Sequence, residues 1–217
     1  MVLSNVKVYD LEESILASGY PMRTELSEHK IDEHDIKRAK NLVAQSRLNG
    51  AHAQFLTGIR VAMDVTFSNK AWLEAERYRF LEFVSSQSTM HRIAQFKLKE
   101  QCNRYVDDRI IDIVQKYIDE YNRLWSLPIP TGETGAYAIR AEKLKELYLT
   151  ILYNIPSGFQ LTARVTTNYR CLLNIYNQRR DHRLPEWREF CKEIKTTLPM
   201  FNEFIDAYLG EKENTND

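Results

Sequence analysis

Apolar positions along the chain recur with two periods. Asp35–Leu48 places Ile36, Ala39, Leu42 and Val43 at helical spacing. Arg109–Trp125 carries Ile111, Val114, Ile118 and Tyr121 on one stripe, and Glu142–Tyr153 reads as a further helix that Pro156 stops. Lys70–Ser86 is predicted helical through Trp72, Ala75, Leu81 and Val84. Thr162–Gln178 is also predicted helical, although it is rich in polar groups. Pro185 suits the first turn of a helix whose Trp187, Phe190, Cys191 and Ile194 follow i, i+3, i+4, i+7. A last helix runs through Phe201, Phe204, Ile205 and Tyr208 to a stop at Gly210. Ile59, Val61, Met63, Val65 and Phe67 alternate with smaller or polar residues, the period of a half-buried strand, and Val6–Tyr9 predicts a shorter one. The outline is α+β: a helix-rich single domain over 1–210 with a small central sheet. The polar stretch 211–217 is expected to be a disordered tail.

Composition narrows the function classes. Of 217 residues, 30 are basic and 30 acidic, so the formal charge is zero and a nucleic-acid-coating surface is not expected. Apolar residues at 43% and aromatic ones at 11% suffice for a core, which excludes global disorder. Cys102, Cys171 and Cys191 form no close pair, so neither a disulfide framework nor a CxxC metal knuckle is expected. No run of about 18 apolar residues is present, and the start lacks an apolar leader; a cytoplasmic protein without a membrane partner is expected. GxGxxG and GxxxxGK[ST] are both missing, which disfavours a nucleotide held on a glycine-rich loop.

Polar groups crowd into 87–106, 158–183 and, less densely, 49–55. Arg170 and Asn174 lie four apart, hence on one helical face, with Arg164 and Asn168 on an adjoining one. Amides and guanidiniums beside Leu172, Leu173 and Ile175 suit a pocket for a ligand with ring edges and phosphates; the alternative is a solvated face with capping arginines. QRRDHR (178–183) lacks aromatic interleaving, so no nucleic-acid partner is expected from it. His29 and His34 are spaced like no common ligand pair, and no metal is expected. Cys102, near Arg104, is either an inert buried thiol or one with a lowered pKa.

These residues resemble the flavin-dependent thymidylate synthases (ThyX). The family signature is R-H-R, a spacer, then E-x-S-x-R-Y. Met90-His91-Arg92 resembles the first part and Glu100-Gln101-Cys102-Asn103-Arg104-Tyr105 the second, with Gln87 in place of a glutamine three residues before the triplet. Downstream, Pro156, Asn168-Tyr169-Arg170, Asn174 and Gln178-Arg179 resemble the family's proline and N-x-R-x-x-x-N helix. His52 resembles an early family histidine, and a late one falls at Arg183 or, with a one-residue slip, at His182. The likeness spans about residues 50–205. Met90, Cys102 and Leu152 depart from the pattern; Arg164 and Arg180 are candidate replacements for the missing charge.

The resemblance implies a flavoprotein methyltransferase of dTMP biosynthesis. Its members transfer a one-carbon unit from methylenetetrahydrofolate to C5 of dUMP, with reduced FAD as hydride donor and NADPH as reductant, in homotetramers that share their sites. It gives Arg179 the catalytic place, stabilising the N3-ionised pyrimidine, because a fixed cation sits where negative charge develops. It gives His52, His91, Arg92, Asn168, Arg170, Asn174 and His182 to the cofactor, and Gln87, Glu100, Cys102 and Arg104 to the nucleotide. The departures open an alternative, C5 modification of another pyrimidine nucleotide. A further one is a flavin- or nucleotide-binding homologue without catalysis.

Overall fold

Period-2 alternation marks the strand at Arg60–Ser68 and part of the one at Leu3–Tyr9, whereas the other two strands of the sheet lie largely in segments expected to be helical. The structure, a computed structural model, describes residues 2–25, 30–128 and 134–210; His29 and the expected tail at 211–217 lie outside the described residues. Strands β1 (Leu3–Tyr9), β2 (Arg60–Ser68), β3 (Glu82–Ser86) and β4 (Gln160–Asn168) form one antiparallel sheet in the order β1-β2-β4-β3. In β2, Val61, Met63, Val65 and Phe67 are buried on one face. β1 pairs with β2 from Leu3 opposite Val65 to Tyr9 opposite Arg60, with a bulge between Ser4 and Lys7 where Asn5 takes a φ of 49°.

Among the described residues the α-helices are α1 (Leu11–Ala17), α2 (Glu33–Gln45), α3 (Asn69–Ala75), α4 (Thr89–Arg92), α5 (Leu98–Gln101), α6 (Asp108–Ser126), α7 (Thr134–Tyr153), α8 (Tyr169–Arg179), α9 (Pro185–Thr197) and α10 (Phe201–Leu209), joined by 3₁₀ segments at Tyr20–Met22, Gly50–Thr57 and Ile93–Gln95. The fold is α+β and helix-rich around a small sheet, as the periodicity predicts.

Two expected helices are corrected. Lys70–Ser86 is not one helix: α3 ends at Ala75, and Glu82–Ser86 is an edge strand. Every residue of β3 is exposed, so no alternation marked it. Thr162–Gln178 is strand first and helix second. Ala163, Val165 and Thr167 are buried on alternate positions, and Asn168 then caps α8 by accepting from the Cys171 N–H at 2.9 Å. Arg164 and Asn168 therefore share no helical face.

The described residues divide into two compact units. The first comprises Met1–Thr66, Ala75–Ser85 and Ala163–Asp217; the second comprises Phe67–Glu74 and Ser86–Thr162. In the first, α10 packs on α2 and α9, and Tyr169 lies edge-on to Phe201 at 4.9 Å while its hydroxyl donates to the Pro199 carbonyl. The Glu193 carboxylate on α9 accepts from the backbone N–H groups of Val2 and Leu3 at 2.8 and 2.6 Å, which fastens the start of β1. Gly210 closes α10 at a φ of +74°, a conformation that a side chain would strain. In the second unit, Ile111, Val114 and Ile118 on α6 bury against Ile93, Leu98, Ile151 and Phe159. Each such side chain contributes about 1.5–3 kcal/mol on leaving water.

Burial leaves a titration signature in the first unit. It pushes the Cys191 thiol up to about 12, and it raises the Tyr169 phenol as well. Unfolded thiols ionise near 8.5. The unfolded chain therefore ionises first, and the stabilising difference, complete below that pH, is lost as pH rises towards 12. Denaturation midpoints measured from pH 8 to pH 11 are expected to fall, and to fall less steeply in Cys191→Ala. A flat wild-type profile would contradict the burial.

Candidate functional site

The first unit contains a cleft of about 1280 Å³. Its wall is assembled from the 3₁₀ segment at Gly50–Thr57, the start of β2, the turn before β3, the end of β4 and the first two turns of α8. Arg60, Arg77, Arg79 and Arg170 all line it, against a single lining carboxylate, Glu82. Arg60, Arg77 and Arg79 make no ion pair with any described residue, and Arg170 bonds only to the uncharged Gly50 carbonyl, at 3.1 Å, and the Gln54 amide oxygen. Four guanidiniums lining one cleft, none paired with a carboxylate among the described residues, favour an anionic ligand there. Asn168 and Asn174 add amides to the same wall, while Phe80, Val61 and Leu173 add apolar surface.

Arg170 is held in place before any ligand arrives. Position two of α8 aims it at the 50–57 segment, where the two oxygens above fix its fork. Asn168 is already engaged as the helix cap, so its oxygen is spent on Cys171 and its amide nitrogen remains for a ligand. Arg79 rests over the Phe80 ring at 5.5 Å.

Arg179, one turn beyond, is half-buried in a box of side chains. Its Nε donates to the Tyr78 hydroxyl at 2.8 Å, its Nη1 lies 2.7 Å from His182 Nε2, and its charge sits 5.0 Å from the Trp187 ring centre. The Leu184 N–H donates to His182 Nδ1 at 3.2 Å. Neither Arg179, His182 nor His52 is among the cleft-lining residues, and His52 is exposed on the 3₁₀ segment. Arg164 is bound to Asp64 at 3.1 Å and to the Asn5 carbonyl, so it does not replace the missing charge.

The remaining sequence-predicted residues lie in the second unit. The Gln87 N–H donates to the Thr162 carbonyl and the Gln87 side chain accepts from the Thr162 N–H, at 3.0 and 2.9 Å. Arg92 bonds Gln95, Glu100 pairs with Lys97, and Arg104 bonds and overlies Tyr105. His91 is exposed. The Cys102 backbone pairs with that of Phe159 in an isolated antiparallel bridge, and burial raises the Cys102 thiol, which favours the inert alternative over the activated one. At the start of α2, Asp32, His34 and Asp35 come together, but Asp32 caps the helix and Asp35 accepts from Arg38 at 2.7 Å. These carboxylates are spent on structure.

Sequence reasoning missed Arg60, Arg77 and Arg79. A signal was present: Arg77-Tyr78-Arg79 keeps both arginines of an R-H-R triplet, whereas Met90-His91-Arg92 keeps one.

Comparison with solved structures identifies the fold. ThyX of Helicobacter pylori, a flavin-dependent thymidylate synthase solved with FAD and dUMP, is 15% identical over 93% of this chain and 97% of its own, with a TM-score of 0.57. The fold is ThyX-like. A second structure of that protein with FAD and dUMP gives a TM-score of 0.54 at 15% identity, covering 95% of this chain and 97% of that one. The UMP/dUMP methylase PolB of Streptomyces cacaoi, bound with 5-Br dUMP, gives 0.57 at 12% identity over 96% of this chain and 94% of its own. Neither a protein-family model nor a curated protein matches the sequence. Among the described residues, no helix is long and apolar enough to cross a membrane.

Proposed function

We propose that this protein is a flavin-dependent enzyme that adds a one-carbon group at C5 of a pyrimidine nucleotide, with FAD held in the cleft of the first unit. The observation that carries the reading is the set of four cleft-lining guanidiniums, without carboxylate partners among the described residues, on a ThyX-like fold. The donor set fits the cofactor: arginines for its pyrophosphate, amides for ring carbonyls, and Phe80 and Leu173 for a flat ring face. When bound, FAD supplies the hydride that reduces the transferred carbon.

The chain's own residues bind and orient. Arg77, Arg79 and Arg170 hold the anionic part of the cofactor, and we assign the family's R-H-R triplet to Arg77-Tyr78-Arg79, because these residues share a wall with Asn168, Arg170 and Asn174. On that register His91, Arg92, Glu100, Cys102 and Arg104 hold no flavin. Arg179 stays the proposed catalytic cation, its orientation fixed by Tyr78 and His182, stabilising the pyrimidine as N3 gives up its proton. Methylenetetrahydrofolate as carbon donor, NADPH as reductant and a homotetramer belong to the same proposal.

Likeness to a UMP/dUMP methylase supports a second reading, a nucleotide other than dUMP. The test is a visible absorption titration with FAD, followed by dUMP, UMP and dCMP. Bound flavin whose bands shift with dUMP alone supports thymidylate synthesis, and a shift with another nucleotide selects the second reading. His91→Ala is expected to keep flavin and Arg77→Ala to lose it; the reverse pattern restores the register at Met90. No flavin band at millimolar FAD ends both readings.

A further inference from the structure

Arg179 reaches the cleft wall through a chain of hydrogen bonds whose direction is fixed. A guanidinium only donates, so the Tyr78 hydroxyl oxygen accepts from Arg179 Nε, and its one proton goes on to Gln178 Oε1 at 2.9 Å. With its oxygen taken, Gln178 turns its amide nitrogen to Asn174 Oδ1, at 3.0 Å. Asn174 then has its oxygen occupied and its Nδ2 amide left for whatever enters the cleft it lines. Asn and Gln amides on a helix surface can otherwise be turned either way at little cost. Here a cation at one end sets the sense of all three links.

We propose that Tyr78 and Gln178 are positioning residues that make Asn174 an obligate hydrogen-bond donor, so that this point of the cleft takes a carbonyl oxygen and refuses an amino group. An imide ring, with carbonyls flanking an N–H, carries that acceptor. Flavin and uracil both contain one, and cytosine's 4-amino group presents the wrong partner. The ligand rests on the function proposed above; the relay stands on the geometry alone. Tyr78 is suited to the task because its ring is buried edge-on to Trp187 at 5.8 Å, which leaves the hydroxyl no freedom to swing away.

Two measurements decide it. In the ligand-free chain with ¹⁵N-labelled glutamine, the Gln178 side-chain amide is expected downfield and slow to exchange with water. Tyr78→Phe, which keeps the ring, is expected to move that resonance and speed exchange several-fold; an unchanged resonance overturns the relay. With FAD as the probe, Tyr78→Phe, Gln178→Leu and Asn174→Ala are each expected to weaken binding about tenfold. The doubles with Asn174→Ala are expected to be no weaker than Asn174→Ala alone. Losses that multiply in the doubles would show Tyr78 acting by another route and overturn the proposal. Gln178→Leu leaves the buried ring untouched, so it decides the matter if Tyr78→Phe folds poorly. If the wild type takes no FAD, the proposed function fails, while the amide resonance still tests the relay.

Discussion

Arg170→Ala is expected to weaken FAD binding about a hundredfold while leaving the melting temperature within a few degrees of wild type. Each hydrogen bond from a charged group contributes about 1.5–3 kcal/mol, and a forked guanidinium offers two. Arg170 is also pre-ordered by Gly50 and Gln54, so a ligand bears little of the side-chain entropy that a free arginine would lose. The bonds it gives up on mutation lie at an exposed position, which limits the stability loss. Arg170→Lys is expected to recover part of the affinity, since it restores charge without the fork. A flavin fluorescence titration reads both, and raising the salt is expected to weaken binding of the wild type more than of Arg170→Ala. Binding of Arg170→Ala within threefold of wild type would remove Arg170 from the site.

Trp187→Ala is expected to cost about 3–5 kcal/mol of stability, the range for emptying a large aromatic site. Trp187 is fully buried, in contact with Tyr78 and with Phe190 at 5.7 Å, and it forms one side of the Arg179 box. For a chain of this size each kcal/mol corresponds to about 2–4 °C, so the melting temperature should drop by roughly 10 °C. Trp187→Phe retains most of the packing and is expected to lose less than half as much. Thermal unfolding followed by far-ultraviolet dichroism gives the answer. A loss under about 1 kcal/mol for the alanine variant would mean that the indole is not a core element. Because the same ring faces the Arg179 charge, Trp187→Ala is also expected to loosen the relay through Tyr78.

The elements legible in advance share one property: one face buried and the other wet. α6, α9 and α10 carry their core residues at helical spacing, and β2 carries them at every second position. β3 was not legible because an edge strand with every residue exposed imposes no pattern. β4 was hidden because its buried positions include the small Ala163 and the polar Thr167, and because it runs directly into α8 at Asn168.

The site divided in the same way. Asn168, Arg170 and Asn174 stand close in sequence on one strand–helix junction, where spacing alone puts them near one another. Arg170 and the Gly50 carbonyl it binds are separated by 120 residues, and no local spacing connects them. Helix period, strand alternation, the Gly210 stop and the N-x-R-x-x-x-N face were determined by the sequence by itself, because each depends on neighbours within a turn or two. Which arginines gather in one cleft, and which way the Asn174 amide turns, were decided only by the tertiary structure. Both depend on side chains brought together by β2, the turn before β3 and α8, whose partners lie a hundred residues apart along the chain.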